Sequence, residues 1–313
     1  MFTIEKAQVF HADDAPTPSC HASTIVDCRG GLLAAWFGGS HEKCPDVDIW
    51  IARQVDGNWS QPQRVADGDG VACWNPVLSR LSDGTILLFY KVGPQIRDWK
   101  TWLVTSADNG ASWSTPRSLG TGLAGPVKNK PCTLADGTLL CGTSDEPDWR
   151  EWQVYFSLSR DRAQSWEIVG PIAGIENFQA IQPTLLVHGD DLQALVRTRE
   201  GVIAETWSRD GGRSWTALQA TPLPNPNSGI DAVTLADGRH LLVYNDTTEG
   251  RSPLNMALSG DGRHWENIAE LAPDDGGEYS YPAVIQADDG QVHVTWTDRR
   301  RTIAHAWFDP RHV

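Results

Sequence analysis

The sequence predicts an all-β protein, a six-bladed β-propeller, filling residues 1–313 as a single domain. Three observations predict it. The box "SADNGASW" at 106–113 returns as "SRDRAQSW" at 159–166 and "SRDGGRSW" at 208–215, with a shortened "SGDGRHW" at 259–265. A second marker, a tight turn between two apolar runs, keeps the same beat of about fifty residues. Between the markers lie short β-branched and aliphatic runs, and no long helical period.

The turn markers are "CRGG" ending at Gly31, "SDG" at Gly84, "ADG" at Gly137, "GDD" at Gly189–Asp191, "ADG" at Gly238 and "DDG" at Gly290. Asp-Gly between apolar runs signals a hairpin, because both residues tolerate the positive φ of the turn. Six turns mean six units. Each reads as an inner strand, a turn, a second strand, a longer loop and a second hairpin. Unit two shows the order: "NPVLSRL", "SDG", "TILLFYKV", a loop, "TWLVTS", the box, "WSTPRSL". Four antiparallel strands repeated radially make a propeller, and a period near fifty fits one blade. The sixth unit has three strands before the C-terminus, and the opening "FTIEKAQVFH" supplies the outer strand that closes it. Within the boxes, Ser and Asp bond the backbone of a tight turn while Trp packs between blades. The repeat builds the scaffold.

Composition narrows the partners. Hydrophobic residues make up 40% and charged residues 21% of the chain, as in ordinary globular proteins. No apolar run reaches the length of a membrane span, and the N-terminus lacks the basic start and apolar core of a signal peptide, so a cytoplasmic protein is expected. A net charge of −14 argues against nucleic acid and anionic membranes as partners. The six cysteines show no Cys-x-x-Cys spacing and read as reduced structural thiols. No phosphate loop, nucleotide fingerprint or metal-ligand spacing appears, so neither cofactor nor metal is expected.

Chemistry is expected on the rim opposite the turns. Strands alternate direction, so inner-strand starts and second-strand ends share that rim and converge on the axis. Blade one supplies His21, Asp46 and Asp48; blade two Trp74, Asn75 and Lys91. Blade three supplies Lys128, Asn129, Lys130, Asp145 and Glu146; blade four Gln182, Arg197 and Arg199. Blade five supplies Asn227, Ser228, Asp231, Asn245 and Arg251; blade six Glu278, Tyr279, Tyr281, Asp298 and Arg299. Of 26 lysines and arginines, Lys91, Lys128, Lys130, Arg197, Arg199, Arg251 and Arg299 fall in this set. A basic pocket in an acidic chain suits an anionic ligand, and an arginine grips a carboxylate with two parallel bonds. Trp36, Trp74, Trp99 and Trp149 are candidate sugar-stacking walls, although a propeller tryptophan more often packs between blades.

With its Asp-boxes, "AWFGG", "CWNP", "GPVKNKP", "LPNPNSGID" and "GEYSYPAV", the whole chain resembles the sialidase superfamily, closest to BNR-repeat sialidase-like proteins. The resemblance implies arginines on the substrate carboxylate, a tyrosine nucleophile activated by a glutamate, and an aspartate acid/base. Arg197 or Arg199 and Arg251 match two of the arginines, Tyr279 the nucleophile, and Asp46 the acid/base, with Asp48 competing. Two positions depart from the pattern. Cys20 and His21 stand where the first arginine is expected, and Gln182 stands where the glutamate is expected. A glutamine cannot take a proton from a phenol, so Glu278, Glu146 or another acid replaces it, or the mechanism differs.

The leading expectation is an exo-acting glycoside hydrolase on an acidic sugar, a sialic or other ulosonic acid or a uronic acid-containing glycan. Tyr279 would attack the anomeric carbon, Asp46 would protonate the leaving oxygen, and the cations would bind the carboxylate of the anionic carbohydrate. The alternative is a polysaccharide lyase on a uronate glycan, with His21 or Tyr279 as base and acid and Lys128, Lys130 or Arg197 on the enolate. A third reading is an inactive sugar-binding propeller. Lys91, Asn75, Lys128, Lys130, Gln182, Asp231 and Tyr281 complete the expected binding set.

Overall fold

The structure, a computed structural model, describes residues 2–147, 151–174 and 176–313. The short apolar runs form six antiparallel sheets, and the described residues contain no α-helix. The fold class is the expected one, all-β with the six sheets of a six-bladed β-propeller. The chain divides into two compact units, Met1–Gly122 with Tyr281–Val313, and Leu123–Ser280.

In the first unit, blade one is Ser19–Cys28, Gly31–Gly39 and Asp48–Val55, edged by the short strands Asn58–Trp59 and Gln63–Ala66. Blade two is Cys73–Arg80, Ile86–Val92 and Lys100–Ser106, with an outer strand of only Arg117–Ser118. Pro116 stands just before that last strand and offers no ladder donor, which keeps it short. Blade six is Tyr279–Gln286, whose first two residues fall in the second unit, with Val292–Asp298 and Thr302–Phe308, and the N-terminal Glu5–Gln8 pairs with it, Glu5 opposite Trp307.

In the second unit, blade three is Cys132–Thr133, Leu139–Asp145, Gln153–Ser159 and Glu167–Val169. Its inner strand is reduced to two residues because "GPVKNKP" carries prolines at both ends. Blade four is Ala180–His188, Asp191–Thr198, Val202–Ser208 and Gln219–Pro224; blade five is Asp231–Thr234, His240–Tyr244, Leu254–Ser259 and Glu266–Ala272.

The Asp-Gly turns share one geometry. Gly84, Gly137, Gly238 and Gly290 take φ between +83° and +94°, and each N–H donates to the carbonyl three residues back at 2.9 Å. The preceding aspartate accepts the next N–H, from Thr85, Thr138, Arg239 or Gln291. The boxes are equally uniform. Ser106, Ser159, Ser208 and Ser259 each accept a backbone N–H through Oγ and donate to the box aspartate. The aspartate gathers further N–H and hydroxyl donors, which hold Asp108, Asp161 and Asp210 down at about 2. The tryptophan packs against the preceding blade: Trp215 stacks on Phe156 with centroids 3.8 Å apart, and Trp265 covers the core around Leu186 and Leu195.

All six cysteines are free thiols. Burial pushes Cys20 and Cys28 up to about 12, so neither is a nucleophile at neutral pH.

Candidate functional site

The inner strands begin with an irregularity. Ala22, Asn75, Gln182 and Tyr281 have φ of +59°, +38°, +57° and +51°, and the strand registers shift at the first three. A bulge here re-aims the side chains at the strand start. Left-handed backbone in a non-glycine residue costs about 1–3 kcal/mol, and such residues cluster at functional sites.

In the second unit, the candidates fall into two hydrogen-bonded groups. The first is built on Arg197, which is 7% exposed. Its Nε donates to Asn227 Oδ1 at 2.8 Å and its Nη1 to Gln182 Oε1 at 3.3 Å. Asn129 Nδ2 donates to the Gln182 carbonyl. Arg197 and Arg199 both lie over the Trp152 ring, at 5.5 and 3.9 Å. Lys128 is buried and donates to the Ile230 carbonyl at 2.8 Å. Burial lowers it to about 7, against Asp231, which raises it, and with Lys130 and Arg197 lowering it further. Lys130 pairs with Asp231 at 2.9 Å, and Thr184 Oγ1 donates to the same carboxylate. The charge of Lys130 is therefore balanced inside the protein.

The second group gathers around Tyr279, which is 5% exposed. Its N–H donates to the Arg251 carbonyl, and Asn245 Nδ2 donates to its carbonyl. Arg251 Nη1 donates to Glu278 Oε1 at 2.8 Å, and Ser280 Oγ donates to the same oxygen at 3.0 Å. The phenol Oη donates to Asp275 Oδ2 at 2.9 Å. Asp275 and Trp152 are absent from the residues singled out by sequence. The signal for Asp275 lay in "PDDGGEY", where two glycines bring an acid back onto the tyrosine that follows.

In the first unit, His21 is 3% exposed, with its ring 4.3 Å from that of Tyr281 and 5.6 Å from Phe37. Asn75 is buried at its bulge. Lys91 is fully buried and donates to Thr101 Oγ1 and the Gly122 carbonyl, both at 2.7 Å. This binding candidate is thus engaged inside its own blade. Asp46 is exposed, and bonds from the Ser40 hydroxyl and N–H hold its carboxyl below the usual range. Asp48 pairs with Arg64 at 3.1 Å, yet burial pushes its carboxyl up. A general acid must hold a proton, and of these two neighbours Asp48 holds it more readily. Trp36 is fully buried and stacked on Phe10, and Trp74 bonds the Gly93 carbonyl and packs on Trp99. Trp149 lies outside the described residues.

Solved structures resemble this fold closely. A Dyadobacter fermentans protein of unknown function superposes with a TM-score of 0.82 at 16% identity, covering 98% of this chain and 99% of its own. A Hadza microbial sialidase gives 0.79 at 20% identity over 98% of this chain and 69% of its own. The intramolecular trans-sialidase of Ruminococcus gnavus gives 0.75 at 14% identity over 97% of both chains. At these identities the likeness is one of fold. No curated protein matches the sequence. The family profile of the BNR repeat-like domain matches residues 30–294, and the chain belongs to that family.

Proposed function

We propose that the protein is an exo-acting glycoside hydrolase for an acidic sugar, a sialic or other ulosonic acid or a uronic acid-containing glycan. The observation that carries this reading is the group around Tyr279 at a strand start, where the phenol donates to the Asp275 carboxylate and the Tyr279 N–H donates to the carbonyl of Arg251, whose Nη1 bonds Glu278. Arg197, held through its Nε by Asn227 and through Nη1 by Gln182, is the cation this reading places on the carboxylate, in a chain of net charge −14. Cations of this kind grip a carboxylate. Tyr279 then attacks the anomeric carbon, and a neutral phenol approaches a carboxylate-bearing centre without the repulsion a carboxylate nucleophile would meet. Asp46 or its neighbour Asp48 is the general acid of this reading. The sialidases of similar fold act as precedent for the chemistry.

The test is turnover of a panel of sialic, other ulosonic and uronic acid glycosides and rhamnosyl-uronate disaccharides by wild type and Tyr279→Phe. Release of reducing sugar, lost by at least about a hundredfold with the phenol, is the expected outcome.

A second reading is favoured by one contact, the His21 ring against Tyr281 in the first unit. A histidine and a phenol together supply the base and acid of β-elimination, which would make the protein a lyase on a uronate glycan. That activity would appear in the same panel as the ultraviolet absorbance of an unsaturated uronate, dependent on His21. Sugar-dependent thermal stabilisation with no product would leave a binding module.

A further inference from the structure

We propose that Asp275 is the general base of Tyr279; this rests on the hydrolase reading above and names the acid that Gln182 cannot supply. Two independent features of the loop carry it. The first is the hydrogen bond itself: the phenol Oη donates to Asp275 Oδ2 at 2.9 Å, so the atom that attacks already shares its proton with a carboxylate. The other oxygen, Oδ1, accepts the Gly277 N–H at 2.8 Å, which orients the carboxylate.

The second is Gly277. A Cβ on this residue would lie 2.8 Å from Asp275 Oδ1, 2.9 Å from Tyr279 Cε2 and 3.0 Å from Cζ. The loop therefore brings its backbone against both the carboxylate and the ring, and a side chain at 277 would displace one or both of them. A tyrosine that served packing alone would not need a glycine fitted to its acid partner.

The two glutamates named from the sequence are engaged. Glu278 Oε1 takes Arg251 and Ser280, and Glu146 Oε1 takes Ser144. Asp275 reaches the phenol from four residues upstream in the same loop, whereas the resemblance calls for an acid on blade four. The base and nucleophile of this chain thus belong to one segment.

The step balances. The Tyr279 oxygen forms a bond to the anomeric carbon as the bond to the leaving oxygen breaks. Its proton passes to Asp275 Oδ2, and the leaving group departs with the electron pair. In the second half, water attacks the anomeric carbon and passes one proton to the carboxylate that protonated the leaving oxygen, while the tyrosine departs and recovers its own proton from Asp275.

The test uses the full chain and an aryl glycoside of the panel sugar that wild type turns over, since a phenolate leaving group needs no general acid. Asp275→Asn is expected to lower kcat about a hundredfold or more with KM little changed, and to remove the acid limb of the kcat–pH profile. Asp275→Glu should recover part of kcat, and formate should partly rescue Asp275→Ala. Gly277→Ala, which removes no titrating group, should also lower kcat. If Asp275→Asn does not fold, Asp275→Glu and Gly277→Ala carry the comparison. A wild-type kcat and acid limb in Asp275→Asn, with Tyr279→Phe inactive, would overturn this assignment and leave the hydrolase reading standing. A wild type silent on every glycoside would overturn both.

Discussion

At the scale of single residues, charge alone does not make a ligand site. Lys91 and Lys130 sit at the strand ends where an anion-binding cation was expected, yet Lys91 is sunk into its own blade and Lys130 is neutralised by Asp231. Arg197 has the neutral groups Asn227 and Gln182 among its partners, and they orient its guanidinium. Arg197→Lys keeps the charge and loses the planar fork. Its expected effect is a rise in KM of about tenfold for the acidic glycoside, with kcat changing less. An unchanged KM would remove Arg197 from carboxylate binding. The spacing of basic residues in a sequence cannot separate these cases, because the cancelling partners lie about one hundred residues away, as Asp231 does from Lys130.

At the scale of elements, the turn chemistry was legible letter by letter. Each Asp-Gly marker became a left-handed glycine with an aspartate accepting the next N–H, because little else satisfies so tight a reversal. The boxes read equally directly. Ser208 is buried, accepts the Gly212 N–H and donates to Asp210. Ser208→Ala should cost about 1–2 kcal/mol, visible as a lower thermal midpoint, while kcat and KM stay at wild-type values. A loss of turnover without a loss of stability would mean that the box serves the reaction. The bulges were not legible. Nothing local marks Ala22, Gln182 and Tyr281 for positive φ; only at Asn75 is the residue type one that tolerates it.

At the scale of the whole molecule, titration in both units works in one direction. Burial lowers His240 to about 4 in the second unit, and His293 and His305 to about 4 and 3 in the first. His293 and His305 share a ring-nitrogen hydrogen bond at 3.1 Å, which requires at least one neutral partner. An unfolded histidine titrates near about 6.5, so below that pH the unfolded chain takes up protons that the folded chain refuses. The stability these histidines contribute is complete above about 6.5 and is lost as the pH falls through that value towards their folded values. Thermal midpoints should be level near neutrality and fall steadily from about pH 6.5 to 4. A level profile across that interval would show that the buried imidazoles open to solvent at little cost. The box aspartates add to the loss at still lower pH, since they are held near 2.

The sequence by itself determined the repeat, the all-β class and six sheets, because hairpin turns and Asp-boxes are local structures whose donors and acceptors lie within a few residues of one another. It also placed Tyr279 and Arg197 at strand ends, since strand direction follows from counting turns. Only the tertiary structure decided which cations are cancelled, which backbone positions are left-handed, and that the Tyr279 phenol meets Asp275 across Gly277. Those outcomes depend on distances between groups that packing brings together, and no spacing along the chain records them.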